Sequence, residues 1–283
     1  MFGASKFYFL LFCFFLLAFS CRHSTKRHAE NLDNLSSDDQ CEGVVTIIGS
    51  PDESNENEDI LLPIIDDRFE SQILMRLSYI VSYNKNTKCP NWVAWRLTAA
   101  HSEGNIPRDR TYYEDEEVPT PRATDNDYKG SLWTKGHMCP AGDNKWDKNA
   151  MQESNLLSNI CPQHSSLNSG LWNKIEQDCR IWAKRFGDLY IVCGPVFYNV
   201  KHQTIGIHEI VVPEAFFKVI LCLAGNPKAI GFVIKNNDGK KKKDQYINTI
   251  DEVERITGMD FFSALPDSIE NEVEAYANIE EWK

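Results

Sequence analysis

The sequence of 283 residues contains no apolar run as long as the about 20 residues that a transmembrane helix needs. The apolar run Phe7–Phe19 has only thirteen residues and follows a single cation, Lys6. This pattern is typical of a signal peptide, so we expect residues 1–20 to direct export. The sequence also shows no internal repeat, which excludes a repeat architecture.

The end of the apolar run, Ala18-Phe19-Ser20-Cys21, resembles a bacterial lipobox, in which Cys21 becomes the lipidated N-terminus. We therefore expect an exported lipoprotein anchored to a membrane through Cys21, in the periplasm or at the cell surface. The alternatives are cleavage nearby, with release of a secreted soluble protein, and an uncleaved anchor.

Residues 30–59 contain ten acidic residues and neither lysine nor arginine. Segments with high net charge and few aromatic residues do not bury enough apolar surface to fold. We predict that residues 21–62 form a disordered acidic tether, which would hold the following domain away from a membrane. A solvated linker without such a role is the alternative.

The chain lacks the positive charge that is usual for a protein that approaches polyanions, since its formal net charge is −11. Six further acids lie in the tail, residues 266–283, so residues 60–265 hold 25 acidic and 25 basic residues. The domain is therefore near neutral. Binding of a polyanion would depend on a local basic cleft.

Cysteine is not scarce, but the pairs and spacings of a disulfide or zinc framework are missing. Of nine cysteines, Cys13 belongs to the signal segment and Cys21 to the lipobox, which leaves an odd number. Export permits disulfides. The spacing of Cys139 and Cys161 near His137 matches no structural zinc pattern. We expect buried thiols or one or two disulfides, with no connectivity deducible.

Residues 63–265 are long enough for one compact domain. The β-prone runs Leu77–Tyr83 and Trp92–Ala99 flank the turn Asn84–Thr87, which predicts a hairpin. Further strands are expected at Leu189–Cys193, Glu209–Val212, Phe216–Leu223 and Ala229–Ile234, a capped helix from Thr249 to Gly258, and an acidic helix or tail over residues 266–283.

The stretch Trp133–Glu176 gathers side chains that indicate a site. Lys135-Gly136-His137 is predicted to end a strand, where Gly136 allows a tight turn and close approach of a substrate. His137 can then face a cleft. Leu156–Cys161 is predicted to be a short buried strand, closed by Pro162, that pairs with the first.

A helix is predicted after this strand, beginning at Ser169-Gly170, from apolar residues at Leu171, Ile175, Cys179, Trp182 and Phe186. Asn168 is then expected at the helix N-terminus, where backbone N–H groups favour phosphate. Glu176 lies eight residues further on, at the border of the apolar face. An imidazole, an amide oxygen and a carboxylate suit metal-assisted phosphodiester hydrolysis, and oxygen ligands indicate Mg²⁺ rather than zinc.

Together these motifs resemble the DNA/RNA non-specific endonucleases, also described as the ββα-metal or His-Me finger family. The family pattern is Asp-Arg-Gly-His, Leu-Ser-Asn, and Leu-Asn with a Glu eight residues later. This chain shows Thr134-Lys135-Gly136-His137, Leu157-Ser158-Asn159, Leu167-Asn168 and Glu176, and the likeness continues through Cys193-Gly194-Pro195, Val212–Val219 and Asp251–Gly258. The resemblance implies an α+β fold with a mixed or antiparallel central sheet, flanking helices and a ββα-metal active-site motif.

The resemblance also implies an endonuclease that hydrolyses DNA and RNA, leaving 5′-phosphates, with no protein partner predicted. His137 would be the general base, and Asn168 the ligand of one hydrated Mg²⁺, with Mn²⁺ as an alternative ion. Asn159 would position His137 or the metal-bound waters, and Glu176 would hold one of those waters. A catalytically inactive nucleic-acid-binding lipoprotein of the same fold is the alternative, and a metal-dependent phosphatase is a third.

The chain departs from the family pattern at Thr134-Lys135, where the family has Asp-Arg. Lys135 keeps a cation near the phosphate but loses the bidentate fork of arginine, and Thr134 cannot act as a carboxylate. The family also supplies a cation from upstream of the motif. Arg110 or Arg108 would fit that role, and simple surface salt bridges are the alternative.

Overall fold

The computed structural model describes residues 59–67, 69–237 and 239–283. The predicted signal peptide, Cys21 and most of the predicted acidic tether lie outside these residues. None of the helices in the described part has the length and apolar character needed to cross a membrane.

The strands are β1 (Ile64–Ile65), β2 (Gln72–Met75), β3 (Ile80–Asn84), β4 (Cys89–Leu97), β5 (Thr134–His137), β6 (Ile160–Gln163), β7 (Leu189–Val196), β8 (Thr204–Ile205), β9 (Ile210–Val211), β10 (Ala215–Cys222), β11 (Lys228–Lys235), β12 (Ile247–Asn248) and β13 (Met259–Asp260). The helices are α1 (Asp125–Tyr128), α2 (Lys148–Ser154), α3 (Ser165–Leu167), α4 (Asn173–Phe186), α5 (Ile250–Thr257) and α6 (Asp267–Ala275), and a π-helical turn, Asn168–Trp172, joins α3 to α4.

A seven-stranded antiparallel sheet forms the centre of the fold, in the order β12-β11-β10-β7-β4-β3-β2. Every residue of β7 and β10 is buried, so both faces of the sheet are covered. Because side chains alternate along a strand, Phe216 and Ile220 join one apolar cluster, and Phe217 and Val219 join the other. The predicted α+β class with an antiparallel central sheet is confirmed.

One face of the sheet carries the hairpin of β5 and β6 together with α4. The two strands pair antiparallel, with His137 opposite Ile160, and α4 buries Ile175, Cys179 and Trp182 in the same cluster as Phe216. The predicted strand–strand–helix arrangement is therefore present. Gly136 allows a close approach of Gln163 rather than of a substrate, since a Cβ there would lie 2.4 Å from Gln163 Oε1.

One predicted boundary is wrong by several residues, and a short helical stretch precedes the predicted helix. Leu157–Asn159 forms a 3-10 turn, and the strand starts at Ile160 and continues through Pro162, which is tolerated because β6 pairs on one side only. The helical segment starts at Ser165, where the His164 side chain accepts a hydrogen bond from the N–H of Ser166. Gly170, with φ −102° and ψ −107°, interrupts the helical backbone before α4, so Asn168 lies just before this kink, close to where the apolar helix is predicted to begin.

The opposite face carries α5 and α6. The hydroxyl of Thr249 accepts the N–H of Glu252, and Gly258 ends α5 with a φ of 72°, as the predicted capping pattern requires. The C-terminal segment then reaches the other face, where the Trp282 ring lies 4.7 Å from that of Trp182. The acidic tail thus packs against the domain.

The six cysteines in the described part of the chain are all free and buried: Cys89, Cys139, Cys161, Cys179, Cys193 and Cys222. Cys41 lies outside that part. Among the described residues no cysteine belongs to a group that could hold a metal ion. These six therefore act as small apolar core residues.

Candidate active site

A cavity of about 580 Å³ lies where β5 meets the helical segment of α3 and α4. His137, Asn168 and Glu176 all line it, so the structure brings together the three side chains on which the predicted chemistry depends. The indole N–H of Trp172 donates to the carbonyl of His137 over 3.3 Å. This bond fixes the π-helical turn against the end of β5.

The orientation of the His137 ring follows from its hydrogen bonds. Its Nε2 lies 2.8 Å from Oδ1 of Asn155, and the amide nitrogen of Asn155 donates to the carbonyl of Asp109 over 3.2 Å. Since that carbonyl only accepts, the amide oxygen of Asn155 must face the ring, and Nε2 must carry the hydrogen. Nδ1 is therefore left with its lone pair, which is the arrangement a base needs.

The environment of His137 keeps the ring neutral. The residue is 6% exposed, and burial, with a smaller contribution from the positive charge of Arg108, lowers its pKa from 6.5 to about 4 despite the opposing hydrogen bond to Asn155. Desolvation disfavours the charged imidazolium. The ring is consequently unprotonated throughout the neutral pH range.

Hydrogen bonds also fix the orientation of the Asn168 side-chain amide. The hydroxyl of Thr134 donates to the carbonyl of Gln163 over 2.8 Å, so its oxygen can only accept from Asn168 Nδ2, 3.0 Å away. The same nitrogen donates to the carbonyl of Lys135 over 3.1 Å. Both amide hydrogens are thereby used, and Oδ1 is the atom available to a ligand in the cavity. Thr134, which replaces the family's Asp, thus orients Asn168.

Glu176 lies on α4 and is partly buried. Burial raises the pKa of its carboxyl group to about 7, with Asp143 reinforcing the shift and Lys218, Arg180 and Arg108 opposing it. Lys218 is fully buried, with its Nζ 4.8 Å and 4.6 Å from the ring centroids of Trp95 and Trp172. The carboxyl group therefore changes charge close to neutral pH.

Three cations line the cavity, Arg108, Lys145 and Arg180, against the single carboxylate Glu176. Arg180 is held by an ion pair, with Nη1 2.7 Å from Asp143 Oδ1. The cavity is thus a local basic cleft within a near-neutral domain, as the charge distribution predicted. Such a cleft attracts anions such as phosphate.

Among the other predicted site residues, Arg108 lines the cavity, whereas Arg110, Lys135 and Asn159 do not. Lys135 is directed elsewhere, with its Nζ 2.7 Å from Asp125 Oδ1 and 4.7 Å from the centroid of the Tyr112 ring. Of the cations predicted for the phosphate, Arg108 thus lines the cavity, and Lys135 and Arg110 do not.

Asn159, which is predicted to position His137 or the metal-bound waters, forms its side-chain hydrogen bonds with backbone groups. Its Oδ1 accepts the N–H of Cys139, and its Nδ2 donates to the carbonyls of Cys139 and Ser154. The side chain therefore ties the loop after His137 to the end of α2. The residue that contacts the imidazole is Asn155.

The sequence patterns did not indicate three residues of this site, Asn155, Lys145 and Arg180. Arg180 follows Glu176 by four residues, and residues at that spacing share one face of a helix, so the sequence did contain a signal for it. No spacing argument singles out Asn155, because it follows the end of α2 and reaches His137 through tertiary structure.

The donor set fits a hard divalent cation. Asn168 offers an amide oxygen and Glu176 a carboxylate, and no thiol lines the cavity. Mg²⁺ prefers such oxygen ligands and keeps most of its waters. The residues that could hold the ion are thus Asn168 directly and Glu176 through water.

Comparisons with known proteins match the chain to a family of nucleases. The family model for DNA/RNA non-specific endonucleases matches residues 65–268. The chain is 35% identical over 206 residues to the mitochondrial nuclease EXOG of Xenopus laevis, covering 67% of this chain and 58% of that protein. It is 31% identical over 206 residues to the mitochondrial endonuclease G of Homo sapiens, covering 68% and 69%. The match to nuclease C1 of Cunninghamella echinulata var. echinulata is 33% identical over 227 residues, covering 74% and 90%.

The fold also matches a solved structure. A crystal structure of an EndoG/EndoGI complex gives a TM-score of 0.69 at 24% identity, over 78% of this chain and 96% of that chain. This likeness shows a shared fold. The chain spans 58% of the length of the Xenopus laevis relative, so the match leaves a large part of that protein without a counterpart.

Proposed function

The chain belongs to the DNA/RNA non-specific endonuclease family, and on that premise we propose that it is a metal-dependent endonuclease. Its substrates are DNA and RNA, whose phosphodiester bonds it hydrolyses to leave 5′-phosphates. The observation that carries the proposal is the meeting, in one basic cavity, of a neutral imidazole, an oriented amide oxygen and a carboxylate. Each group is suited to a different part of phosphodiester hydrolysis.

In the proposed mechanism, Nδ1 of His137 removes a proton from the attacking water. Asn155 holds the ring in the required tautomer, and the low pKa keeps Nδ1 unprotonated. Arg108, Lys145 and Arg180 bind the phosphate oxygens through charge-assisted hydrogen bonds. A general base of this kind contributes about 10²–10⁴-fold to the rate.

We assign Asn168 Oδ1 as the direct ligand of Mg²⁺, or of Mn²⁺ in its place, and Glu176 as the acceptor of a hydrogen bond from a metal-bound water. The bound ion supplies stabilisation of the negative charge that develops on the phosphoryl and leaving oxygens. Asn168 and Glu176 lie one after the other along the helical segment. The same wall of the cavity therefore carries both.

An in-gel nuclease assay tests the proposal. The purified protein is run in gels that contain duplex DNA or RNA, with Mg²⁺, with EDTA, and with Mg²⁺ restored after EDTA. We expect clearing of both substrates only when the divalent ion is present. Binding of DNA without cleavage would instead support the inactive lipoprotein, and hydrolysis of small phosphomonoesters alone would support a phosphatase.

We propose that the protein is exported and anchored through a lipid on Cys21, which lies outside the described residues. The support is the sequence pattern of the short apolar run and the lipobox-like segment. Metabolic labelling with a radioactive fatty acid should mark the wild-type protein and leave a Cys21→Ser variant unlabelled. Equal labelling of both proteins would contradict the anchor, and release of an unlabelled wild-type protein would show secretion.

Thr134→Val should lower kcat about 2- to 10-fold, and it should raise the Mg²⁺ concentration for half-maximal rate by a similar factor. The valine removes one of the two acceptors that orient the Asn168 amide, and one neutral hydrogen bond contributes about 0.5–1.5 kcal/mol. Mg²⁺ titrations of the rate provide the measurement. Thr134→Ser is the matched control and should restore both values; equal loss in both variants would show that the hydroxyl is not responsible.

Glu176→Gln should stabilise the metal-free protein at pH 8 while reducing its nuclease activity. The carboxyl pKa is raised to about 7, so its contribution to stability is complete below its ordinary pKa of 4.5 and is lost as the pH rises through 7. At pH 8 the wild type therefore carries a charged, partly desolvated carboxylate, at a cost on the order of 1 kcal/mol.

Urea unfolding in EDTA at pH 8 and pH 5 measures this effect, and a stabilising difference present only at pH 8 is expected. Glu103→Gln is the matched control, since Glu103 is an exposed acid with a 62% exposed side chain and should show no such difference. A Glu176→Gln protein with full activity would contradict the assigned role in metal binding.

A further inference from the structure

A second group of carboxylates lies on the face of the sheet opposite the cavity. Asp251 and Glu254 project from α5 and Glu274 from α6, and one oxygen atom of each lies within 4.8 Å of the others. The two helices pack on the cluster that contains Ile250, Val253 and Val273. No histidine or cysteine takes part, so the ligands on offer are oxygen atoms only.

Glu274 distinguishes this group from an ordinary acidic surface. The residue is only 8% exposed, and its Oε1 is buried without a hydrogen-bond partner in the described part of the chain. Burying a carboxylate without a partner is costly. Glu254, beside it, is fixed by the N–H of Phe261, which donates to its Oε1 over 2.8 Å. One buried carboxylate therefore points towards two others with its own oxygen unsatisfied.

The surroundings of Glu274 increase this cost. Burial, followed by the negative charges of Glu254, Glu270, Asp251 and Asp260, raises the pKa of its carboxyl group to about 8. The acids come from α5, α6 and β13, and no ion pair involving any of them is found in the described residues. A proton or a cation is needed to offset the repulsion among these acids.

We propose that Asp251, Glu254 and Glu274 form a calcium site that ties α6 to α5. Ca²⁺ accepts six to eight oxygen ligands in flexible geometry, including carboxylates with one or both oxygens, whereas Mg²⁺ demands near-ideal octahedral geometry and keeps its waters. Three carboxylates on two helices suit the larger ion. The site is structural and is separate from the catalytic cavity, and it does not depend on the proposed nuclease activity.

The test measures Ca²⁺ binding in the full chain with the catalytic ligand removed. In an Asn168→Ala background, titration calorimetry with CaCl₂ alone should give one site per chain, and adding Glu274→Gln should abolish it. Ca²⁺ at a hundred times Kd should raise Tm by about 5–10 °C in the first protein and leave the second unchanged. Glu272→Gln, an exposed acid on the same helix, is the matched control and should retain the full response.

Two further readouts separate the site from a general structural role of Glu274. In EDTA at pH 8, Glu274→Gln alone should have a higher Tm than the wild type, because the amide removes one of the repelling charges, and it should keep wild-type Mg²⁺-dependent nuclease activity. The wild-type Kd for Ca²⁺ should also tighten as the pH rises from 6 to 9, since the ion competes with the proton on Glu274.

An equal Ca²⁺ response in the Asn168→Ala protein and in the Asn168→Ala/Glu274→Gln protein would overturn the site. The absence of both binding heat and a Tm shift in these two proteins would overturn it as well. If Glu274→Gln does not fold, Asp251→Asn takes its place in the test, because Asp251 is a more exposed ligand. This variant should lower the Ca²⁺ affinity at least tenfold. Absence of nuclease activity in the wild-type protein would leave the Ca²⁺ titrations and Tm shifts unchanged, so the two proposals fail independently.

Discussion

His137→Ala is expected to reduce kcat by about 10²–10⁴-fold on duplex DNA, with Mg²⁺ at saturation. The imidazole is the proposed general base, and the hydrogen bonds of Asn155 to Nε2 and to the carbonyl of Asp109 leave its Nδ1 unprotonated. Alanine removes the proton acceptor and leaves the three cations that line the cavity. Affinity for DNA, measured in EDTA by fluorescence anisotropy, should therefore change less than twofold to threefold.

Asn155→Ala provides the internal comparison. This variant keeps the imidazole but releases the ring from the tautomer that exposes Nδ1, so its kcat should fall less than that of His137→Ala, by about tenfold. Added imidazole should restore part of the activity of His137→Ala and none of the activity lost in Asn155→Ala. Activity of His137→Ala within a factor of three of wild type would reject the assignment of the base.

His137→Ala should also change the pH dependence of the free energy of unfolding, and this effect does not depend on catalysis. The pKa of His137 is about 4 in the folded protein and 6.5 in the unfolded chain, so its contribution to stability is complete above 6.5 and is lost as the pH falls towards 4. Wild-type protein should therefore lose more stability than His137→Ala between pH 6.5 and pH 4. Urea unfolding at several pH values measures the difference.

The sequence predicted that His137, Asn168 and Glu176 meet in the cavity, because each of them lies on an element that a local pattern indicates. His137 ends a strand, and Asn168 and Glu176 follow on one helical segment, so short-range periodicity was sufficient to place them together. The family resemblance supplied their chemistry. The antiparallel sheet could also be predicted from the sequence, because its buried strands are continuous β-prone runs.

The sequence did not predict which atoms of these residues are free. Asn159 and Asn155 are four residues apart, and only tertiary contacts show that the first bonds backbone and the second bonds the imidazole. Lys135 is drawn to Asp125, ten residues before it, and not to the cavity. Side-chain orientation depends on the whole hydrogen-bond network, which no local pattern encodes.

The numbers of acidic and basic residues in the sequence also predict only part of the charge distribution in the folded protein. The near-neutral total for residues 60–265 predicted a local basic cleft, and the cavity has one. The sequence predicts an acidic helix or tail over residues 266–283, and its acids include Glu274, which is buried beside α5. Total charge does not reveal which acids folding brings together, because α5 and α6 meet only through packing on the sheet.

Asn168→Ala is expected to reduce kcat/KM by about 10²–10³-fold and to weaken Mg²⁺ binding at the cavity until saturation is not reached at 10 mM. The amide nitrogen of Asn168 is engaged by Thr134 and Lys135, so the side-chain oxygen, which the substitution removes, is the proposed ligand atom. Unlike His137→Ala, this variant should recover activity as the concentration of Mg²⁺ or Mn²⁺ rises. The initial rate as a function of metal concentration is the measurement.

Asn168→Asp distinguishes loss of the ligand oxygen from loss of the amide's orientation. A carboxylate keeps an oxygen for the ion but cannot donate to the carbonyl of Lys135, and two acceptors 3.1 Å apart repel. This variant should bind Mg²⁺ better than Asn168→Ala and still be slower than wild type. Asn173→Ala, which also alters an asparagine of the cavity wall, should leave the metal dependence unchanged, and a shift equal to that of Asn168→Ala would remove Asn168 from the metal site.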